Sequence, residues 1–515
     1  MISVQRNKLK NLLLGFLIFL ILTLIVLMAY KKGYIEIISH AMQGQKTEKN
    51  IIDGIAINHV NLIYDSDSNT YYFPIKLEDN NEEVELAIEI SSSYFLTSKI
   101  GDKEFSKKIN LSENVDYNQT IEISVESFLY TNNYTIKFTN LPIIAINYNE
   151  EEIGTEYTYS EFSITDPDYI ENNSKYQFYS DSKVRYRGSS TLGYGKKSYR
   201  VKLEKNVDFG LLGMNCNKTW ILDALATDSS CLRTKIASDL WGDINQDLET
   251  EKYVELNSKY VELYVNGSYN GLYLLKEVID EELLNLDKDT GVLIKGVNWN
   301  QIDFTHYENI NSDTYGPFEL KYPKNAKKYT KSWTNILDKL KEYYTGNINY
   351  NVINETFYIE NLANHKIFLL ILYAIDNYEF KNMYYSIEDN NNDTKVLITP
   401  WDLDLTFGLL WDDDVAQYTY QYEKVENVVE PFGIRGDEEF QEYLKERWNF
   451  LSESVLSKNK INDMIDEQYE YLTKAEVLEK ENKKYHNINT ANEKEELKNW
   501  YSKRFEVTDY YIKSL

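Results

Sequence analysis

The hydrophobic pattern begins with an uncharged apolar run from Asn11 to Tyr30, NLLLGFLIFLILTLIVLMAY. The run is long enough to cross a bilayer core of about 30 Å as a helix. A cleaved signal peptide is the alternative, but its apolar core is usually about 7–15 residues long and no small-x-small cleavage site precedes YKKGY. We therefore predict an N-terminal tail over 1–10, a transmembrane helix over 11–30 and a linker over 31–50. A slight basic excess before the helix favours a single-pass cell-membrane protein whose main domains are extracytoplasmic.

Alternating apolar and polar residues dominate the chain between about Asn50 and Leu141, as in EVELAIEIS and QTIEISVESF. This period of two is typical of a half-solvated antiparallel sheet. We predict a small β-sandwich domain over 51–141. The segment contains no cluster of titratable groups, so a spacer or adhesive module is a better interpretation than a catalytic one.

The remaining residues, 142–515, mix strand and helix patterns and predict an α+β domain. VRYR and SYRVKLE indicate strands on either side of the loop GSSTLGYGKK. A plain hairpin turn explains that glycine loop, although its hydroxyls and the basic Lys196 and Lys197 would also suit a phosphate. The clearest hairpin is YVELYVNGSYNGLYLLKE, Tyr260 to Glu277, in which Asn266-Gly267 predicts the turn.

Helical patterns follow. In TDSSCLRTKIASDLW, Asp228 precedes apolar residues spaced four apart, so we expect a packed helix with Arg233 and Lys235 on its solvated side. IENLANHKIFLLILYAID, Ile359 to Asp376, is apolar over most of its circumference and should be buried in the middle of its domain. From about Asp437 the periodicity predicts a helical C-terminal lobe.

Charge and composition narrow the function classes. A formal net charge of −27 over 515 residues argues against a general nucleic-acid binder, which needs clustered basic residues. Only Cys216 and Cys231 exist, which excludes a disulfide scaffold and leaves open one bridge or two buried thiols. The five histidines are too scattered for a metal cluster or a Ser-His-Asp hydrolase.

Candidate chemistry lies in ITPWDLDLTFG, where Asp402 and Asp404 are one residue apart. If the run is extended, both carboxylates point to one face and need a divalent cation, a shared proton or a basic neighbour. Upstream, Asp376 ends a buried helix, where the helix dipole does not favour an acid. Asp376, then Asn382, then an acid at a strand end match what phosphoryl transfer requires.

Six motifs follow one another along the chain: VRYRGSSTLGYGKKSYRVKLE, DSSCLRTKIASDLW, YVELYVNGSYNGLYLLKE, FELKYP, DNYEFKNMYY and TPWDLDLTFG. In this order they resemble the spore-coat protein H (CotH) kinase family, from about Leu141 to Trp411 and more loosely along the helical tail. The resemblance implies an atypical protein-kinase-like two-lobed domain over 142–515. It also implies ATP and Mg²⁺ as cofactors and a protein as substrate.

Carried over residue by residue, the resemblance implies that Asp376 is the catalytic acid/base and Asn382 a magnesium ligand. Asp402 is the preferred metal ligand, with Asp404 as a second ligand or its partner. The sequence departs from protein kinases, since His-Arg-Asp and Asp-Phe-Gly are absent. The implied nucleotide-binding residues are Lys202 as the phosphate-pairing lysine, Lys197 as its runner-up, Arg187 as a helper, Glu277 at the nucleotide edge, and Arg233 on a helix that orients the lysine.

The resulting expectation is a membrane-anchored atypical kinase that transfers the γ-phosphate of ATP to Ser or Thr of an unknown protein. Its other partner would be the membrane, through the N-terminal helix, and no nucleic acid is expected. The alternative is a surface-displayed binding or adhesion protein that keeps a CotH-like fold without kinase activity.

Overall fold

The computed structural model has an α+β architecture whose described part falls into two compact units. The first comprises Met1–Ala145, Ile164–Phe178 and Tyr264–Tyr269, and the second Ile146–Ser163, Tyr179–Leu263 and Asn270–Leu515. The described residues are 18–25, 27, 51–77, 81–92, 96–127, 131–149, 152–166, 177–188, 190–204, 210–215, 217–248, 253–299, 302, 304, 310, 312–324, 329–345, 349–377, 380–388, 394–409, 438–474, 476–485 and 490–515.

The predicted membrane segment is described only at residues 18–25 and 27, which are helical. Residues 11–17, 26 and 28–30 of that prediction lie outside the described residues. Within the part of the chain that the structure describes, no helix is both long and apolar enough to cross a bilayer, which takes about 20 residues. This finding overturns the predicted transmembrane helix and the single-pass cell-membrane localisation derived from it.

Two sheets build the first unit, with strand orders β2-β1-β5-β8 and β3-β4-β10-β9-β6-β7. Their pairing is antiparallel except between β4 and β10, which run parallel. Alternate residues of β5, such as Leu86 and Ile88, are buried, as the sequence pattern requires. The strands are β1 Gly54–Ile57, β2 Val60–Asn61, β3 Ile63–Asp65, β4 Thr70–Pro74, β5 Glu82–Ser91, β6 Thr97–Ile100, β7 Lys103–Phe105, β8 Lys108–Val115, β9 Thr120–Glu126 and β10 Thr131–Thr139.

A closed barrel of seven strands follows, in the order β11-β12-β13-β14-β15-β17-β16. The predicted hairpin is confirmed as β16 and β17, and its turn residues Asn266 and Gly267 adopt φ values of 48° and 77°. Positive φ at both positions is typical of the tight turn that matches strand twist. The strands are β11 Ile143–Asn147, β12 Thr158–Thr165, β13 Gln177–Arg187, β14 Ser198–Leu203, β15 Thr219–Asp223, β16 Ser258–Val265 and β17 Ser268–Glu277.

The barrel corrects the predicted fold class. An α+β architecture is present, but the two-lobed kinase-like domain expected for this region is replaced by the closed barrel and a five-stranded sheet of order β19-β20-β18-β21-β22. Closure pairs every barrel strand on both edges and so leaves no open edge. The sheet strands are β18 Val292–Gly296, β19 Thr314–Tyr315, β20 Phe318–Tyr322, β21 Met383–Ile387 and β22 Leu397–Pro400.

Helices alternate with strands from Arg233 onward, and the described chain from Glu438 to Ser514 is mainly helical. The helix Ile359–Leu372, named α4, is buried along nearly its whole length, as predicted, because apolar residues surround its axis. It ends at Leu372, four residues before the predicted end at Asp376. The helices are α1 Arg233–Asp243, α2 Tyr329–Thr345, α3 Tyr350–Thr356, α4 Ile359–Leu372, α5 Glu438–Glu453, α6 Lys458–Thr473, α7 Val477–Tyr485 and α8 Thr490–Ser514.

The first helix contradicts one expectation and leaves another open. Arg233 and Lys235 were expected on its solvated side, yet both are buried, because each forms an ion pair with an aspartate. Cys231, just before the helix, is a buried free thiol whose pKa is raised by burial. Cys216 lies outside the described residues, so the structure does not address its pairing.

Candidate active site

Asp376 follows the end of the buried helix α4. Tyr373 caps this helix in the left-handed conformation, with φ of 48°, and the amide of Ala374 donates to the Leu369 carbonyl at 3.2 Å. This reversal is a common way to end a helix. The chain then forms a short 3₁₀ turn, Ile375–Asn377, which carries Asp376.

Both oxygens of the Asp376 carboxylate accept hydrogen bonds. Asn382 donates through Nδ2 to Oδ2 at 2.7 Å, and Lys381 donates through Nζ to Oδ1 at 2.5 Å. Burial raises the pKa of Asp376, the Lys381 ammonium opposes that rise, and the negative charge of Asp402 adds to it. Two residues of the predicted site, Asp376 and Asn382, are therefore in direct contact.

The backbone of Asn382 joins this pair to residues 401–408, the acidic loop that carries Asp402 and Asp404. Asn382 has φ of 55°, a conformation that asparagine tolerates better than most residues. Its amide donates to the Gly296 carbonyl at 3.0 Å, and its own carbonyl accepts from the Trp401 amide at 2.8 Å. Asp402 therefore follows a residue that is hydrogen-bonded to Asn382.

Asp402 and Asp404 are not on an extended strand, which corrects the premise that placed them on one face. Strand β22 ends at Pro400, and Asp402 has φ of 60°. The acids still act on each other. Burial, followed by the charges of Asp402, Asp223 and Asp376, raises the pKa of Asp404 to about 8. A divalent cation, a proton or a basic neighbour could neutralise this pair, and the raised pKa means that Asp404 can hold a proton at neutral pH.

Two lysines lie near the Trp401 indole. Lys276 of β17 places Nζ 4.9 Å from the ring centroid and 3.1 Å from Oδ2 of Asp223. Lys295 of β18 places Nζ 5.9 Å from the same ring and 5.6 Å from the ring of Tyr384. Both contacts are within reach of a cation–π attraction. The barrel and the five-stranded sheet thus each contribute one cation beside the acidic loop.

The electrostatics of these cations follow from burial. Burial lowers the pKa of Lys295 to about 8, against the opposing charge of Asp402. Burial alone would raise the pKa of Asp223, but Lys276 and Arg187 outweigh it and hold that pKa below its usual value. Arg187, a residue of the predicted site at the end of β13, is therefore close enough to lower the pKa of Asp223 and of Lys295.

Glu277 also borders the acidic loop. It lines one small cavity together with Lys276, Trp401 and Asp402. Its Oε1 accepts from the Asn215 amide at 2.5 Å, and burial raises its pKa. The structure thus brings Glu277 to the same cleft, with its carboxylate occupied by a backbone partner.

Three other residues of the predicted site lie elsewhere in the described chain. Lys197 donates to the carbonyls of Leu192 and Tyr194, at 2.5 Å for the latter, and so stabilises the turn after β13. Lys202 is exposed on β14. Arg233 is 1% exposed and pairs with Asp228 at 2.5 Å. Their roles at a nucleotide stay predictions, and their contacts favour structural roles for Lys197 and Arg233.

Sequence reasoning missed Lys276, Lys295 and Asp223. Each is a charged residue that follows a short apolar run, as in YLLKE, VLIKG and WILDA. A charge is seldom buried unless it is paired. That pattern was the available signal, but it does not reveal which charges lie together.

The donor set suits a hard cation. Among the described residues, no three or more His, Cys, Asp or Glu side chains are grouped to hold a metal ion by themselves. Magnesium usually uses only one or two protein carboxylates and completes its shell with phosphate oxygens and water. Asp402, Asp404 and the amide of Asn382 fit that pattern, since all three offer oxygen ligands.

The family assignment rests on a sequence model described as CotH kinase protein, which matches residues 184–508. The chain belongs to the CotH kinase family. The match confirms the resemblance, spans more than half of the chain and includes every residue of the predicted site, from Arg187 to Asp404. No curated protein matches this CotH kinase family member. Membership of this family indicates a kinase-like function.

Proposed function

We propose that this CotH kinase family member transfers the γ-phosphate of ATP to a Ser or Thr hydroxyl of a protein substrate. One observation carries the proposal. Asn382 Nδ2 donates a hydrogen bond to Oδ2 of Asp376 at 2.7 Å, and the negative charge of Asp402 raises the pKa of both Asp376 and Asp404. A base, an amide ligand and an acidic metal loop are the parts that phosphoryl transfer needs.

Asp376 would act as the base. The acceptor hydroxyl gives its proton to Asp376 while its oxygen takes the γ-phosphoryl group, and ADP leaves. Asn382 donates through Nδ2 to Oδ2 of Asp376, which orients the base. The Oδ1 atom of Asn382 would then be the metal ligand. A base must lie within hydrogen-bond reach of the proton it accepts.

Asp402 and Asp404 would hold Mg²⁺, with Asn382 as a further ligand. Bound Mg²⁺ would neutralise the charge that develops on the phosphates. Metal ligands must be deprotonated, so binding would release the proton that Asp404 holds at neutral pH. Lys276 and Lys295, both near the Trp401 ring, supply the positive charge that would bind the phosphates.

The test is transfer of radiolabelled phosphate from ATP by purified protein. Asp402→Ala should lower the rate at least about 100-fold, because the metal loses a charged ligand. Asp376→Asn should bind nucleotide yet transfer slowly. Asp289→Ala is a matched control, since this acid is exposed in the turn before β18. Full activity in the Asp402 variant would contradict the proposal.

A binding protein without transfer activity is the second candidate. It is favoured by the Lys381 ion pair, which occupies the carboxylate oxygen that a substrate hydroxyl would need. Thermal melting with and without ATP and Mg²⁺ separates the two functions. A ligand at 100 times its Kd adds about 2.7 kcal/mol of stability. No rise in melting temperature at millimolar nucleotide would favour the binding protein.

A further inference from the structure

The last helix, α8, contacts the end of helix α4. Arg504 of α8 is fully buried, and its Nε and Nη2 donate to the Leu370 carbonyl at 2.8 and 2.5 Å. Its guanidinium also lies 4.9 Å from the ring centroid of Tyr373, the residue that caps α4. The Tyr373 amide also donates to the Leu370 carbonyl, at 3.3 Å, so Arg504 supplies further donors to a carbonyl in the last turn of the helix. The capped segment leads directly into the turn that carries Asp376.

The same helix contacts the acidic loop one turn earlier. The Trp500 ring packs against Phe407 with centroids 5.8 Å apart. Gly408 has φ of +80°, and a Cβ atom there would lie 2.2 Å from Nε1 of Trp500. A side chain at position 408 is therefore excluded by both backbone conformation and space. This close approach between Gly408 and Trp500 holds the acidic loop four residues after Asp404.

The two segments are also joined to each other. The Phe407 amide donates to the Leu372 carbonyl at 2.9 Å, in the same last turn of α4 that Arg504 caps. The end of α4 is thus held by Arg504 from one side and by the acidic loop from the other. A shift of this turn would move Asp376 relative to Asp402 and Asp404.

We propose that Arg504 is a positioning residue for phosphate transfer, which holds the end of α4 so that Asp376 stays in register with Asp402 and Asp404. This inference rests on the proposed function for its catalytic consequence. Phosphoryl transfer depends on alignment, and a displacement of about 1 Å can lower a rate about 100-fold. A cap that only stabilises the fold would not change the turnover of the folded protein.

The experiment compares Arg504→Met with Arg447→Met. Arg447 is a matched control because it joins α5 to the first half of α4, donating to Asn364 Oδ1 at 2.6 Å, and to the end of α1, donating to the Ile244 carbonyl at 2.8 Å. Both variants should melt at lower temperature. Only Arg504→Met should lower kcat, by about 100-fold, with the KM for ATP changed less than about twofold. Arg504→Lys, which keeps the charge, should recover part of kcat.

Amide hydrogen exchange gives a readout that needs no activity. In Arg504→Met, the amides of Phe407 and Asn377 should exchange faster, because their acceptors Leu372 and Ala374 adjoin the released cap. Arg447→Met should leave both unchanged. If the wild type transfers no phosphate but these amides loosen, the proposed function fails and the positioning holds. Equal losses of kcat, or of amide protection, in the Arg504 and Arg447 variants would overturn the positioning role of Arg504. If Arg504→Met does not fold, Arg504→Lys is tested with the same two measurements.

Discussion

The Lys381 ammonium lies 2.5 Å from Oδ1 of Asp376, the carboxylate proposed as the base. Lys381 also lies 4.2 Å from the ring centroid of Trp299, so its position is held from two sides. Burial raises the pKa of Asp376 and Lys381 opposes that rise. A general base accepts a proton in its ionised form, and this ion pair stabilises that form against the effect of burial.

Lys381→Met should move the acid limb of the pH–rate profile to higher pH. Without the ammonium, burial and the charge of Asp402 act on Asp376 unopposed by that ion pair, so its pKa rises. The measurement is kcat/KM for labelled phosphate transfer as a function of pH. Lys324→Met, at an exposed lysine paired with Glu281, is the control. An unmoved acid limb would show that Asp376 is not the titrating base.

Lys276→Met should raise the KM for ATP, whereas Lys202→Met should not. Lys276 lies beside Trp401 and Asp223, and Lys202 is exposed on β14. A hydrogen bond to a charged group contributes about 1.5–3 kcal/mol, so the rise should be at least roughly tenfold. Steady-state kinetics with varied ATP measure both. The reverse ranking would restore Lys202 as the phosphate-pairing lysine.

Asp404→Asn should remove a pH dependence of stability. The folded-state pKa of Asp404 is raised to about 8, so the folded protein keeps a proton that the unfolded chain loses near pH 4. The free energy of unfolding therefore falls as pH rises from about 4 to about 8. Above that window the variant should be more stable than wild type by at least about 1 kcal/mol.

Urea denaturation without divalent cations, at pH 5 and at pH 9, measures this difference. The exposed Asp289 supplies the matched control Asp289→Asn. A variant that is more stable by the same amount at both pH values would contradict a shifted Asp404. An excess confined to the higher pH would support it.

Arg233→Met should destabilise the fold without changing the nucleotide affinity of the folded protein. Asp228 would stay buried with its 2.5 Å partner removed, and breaking a buried pair on one side costs about 3–5 kcal/mol. Denaturant unfolding measures the loss. Asp228→Asn combined with Arg233→Met should recover part of it. A loss of nucleotide affinity in the folded variant would return Arg233 to the nucleotide site.

Local patterns predicted some elements well. The Asn266-Gly267 turn and the buried helix α4 depend on residues close together in sequence. Hydrophobic period and turn preference act over such short ranges. The exposed Lys202 shows the limit, because a lysine near the end of a strand can face either the site or the solvent.

By itself, the sequence determined the family, the α+β class and the acidic motifs that belong to it. Only the tertiary structure decided that the strands close into a barrel, that Lys276 and Lys295 lie beside Trp401, and that Arg504 caps α4. The physical reason is separation along the chain. A charge is stabilised by whichever opposite charge or carbonyl lies close in space, and neighbours distant in sequence leave no local pattern to read.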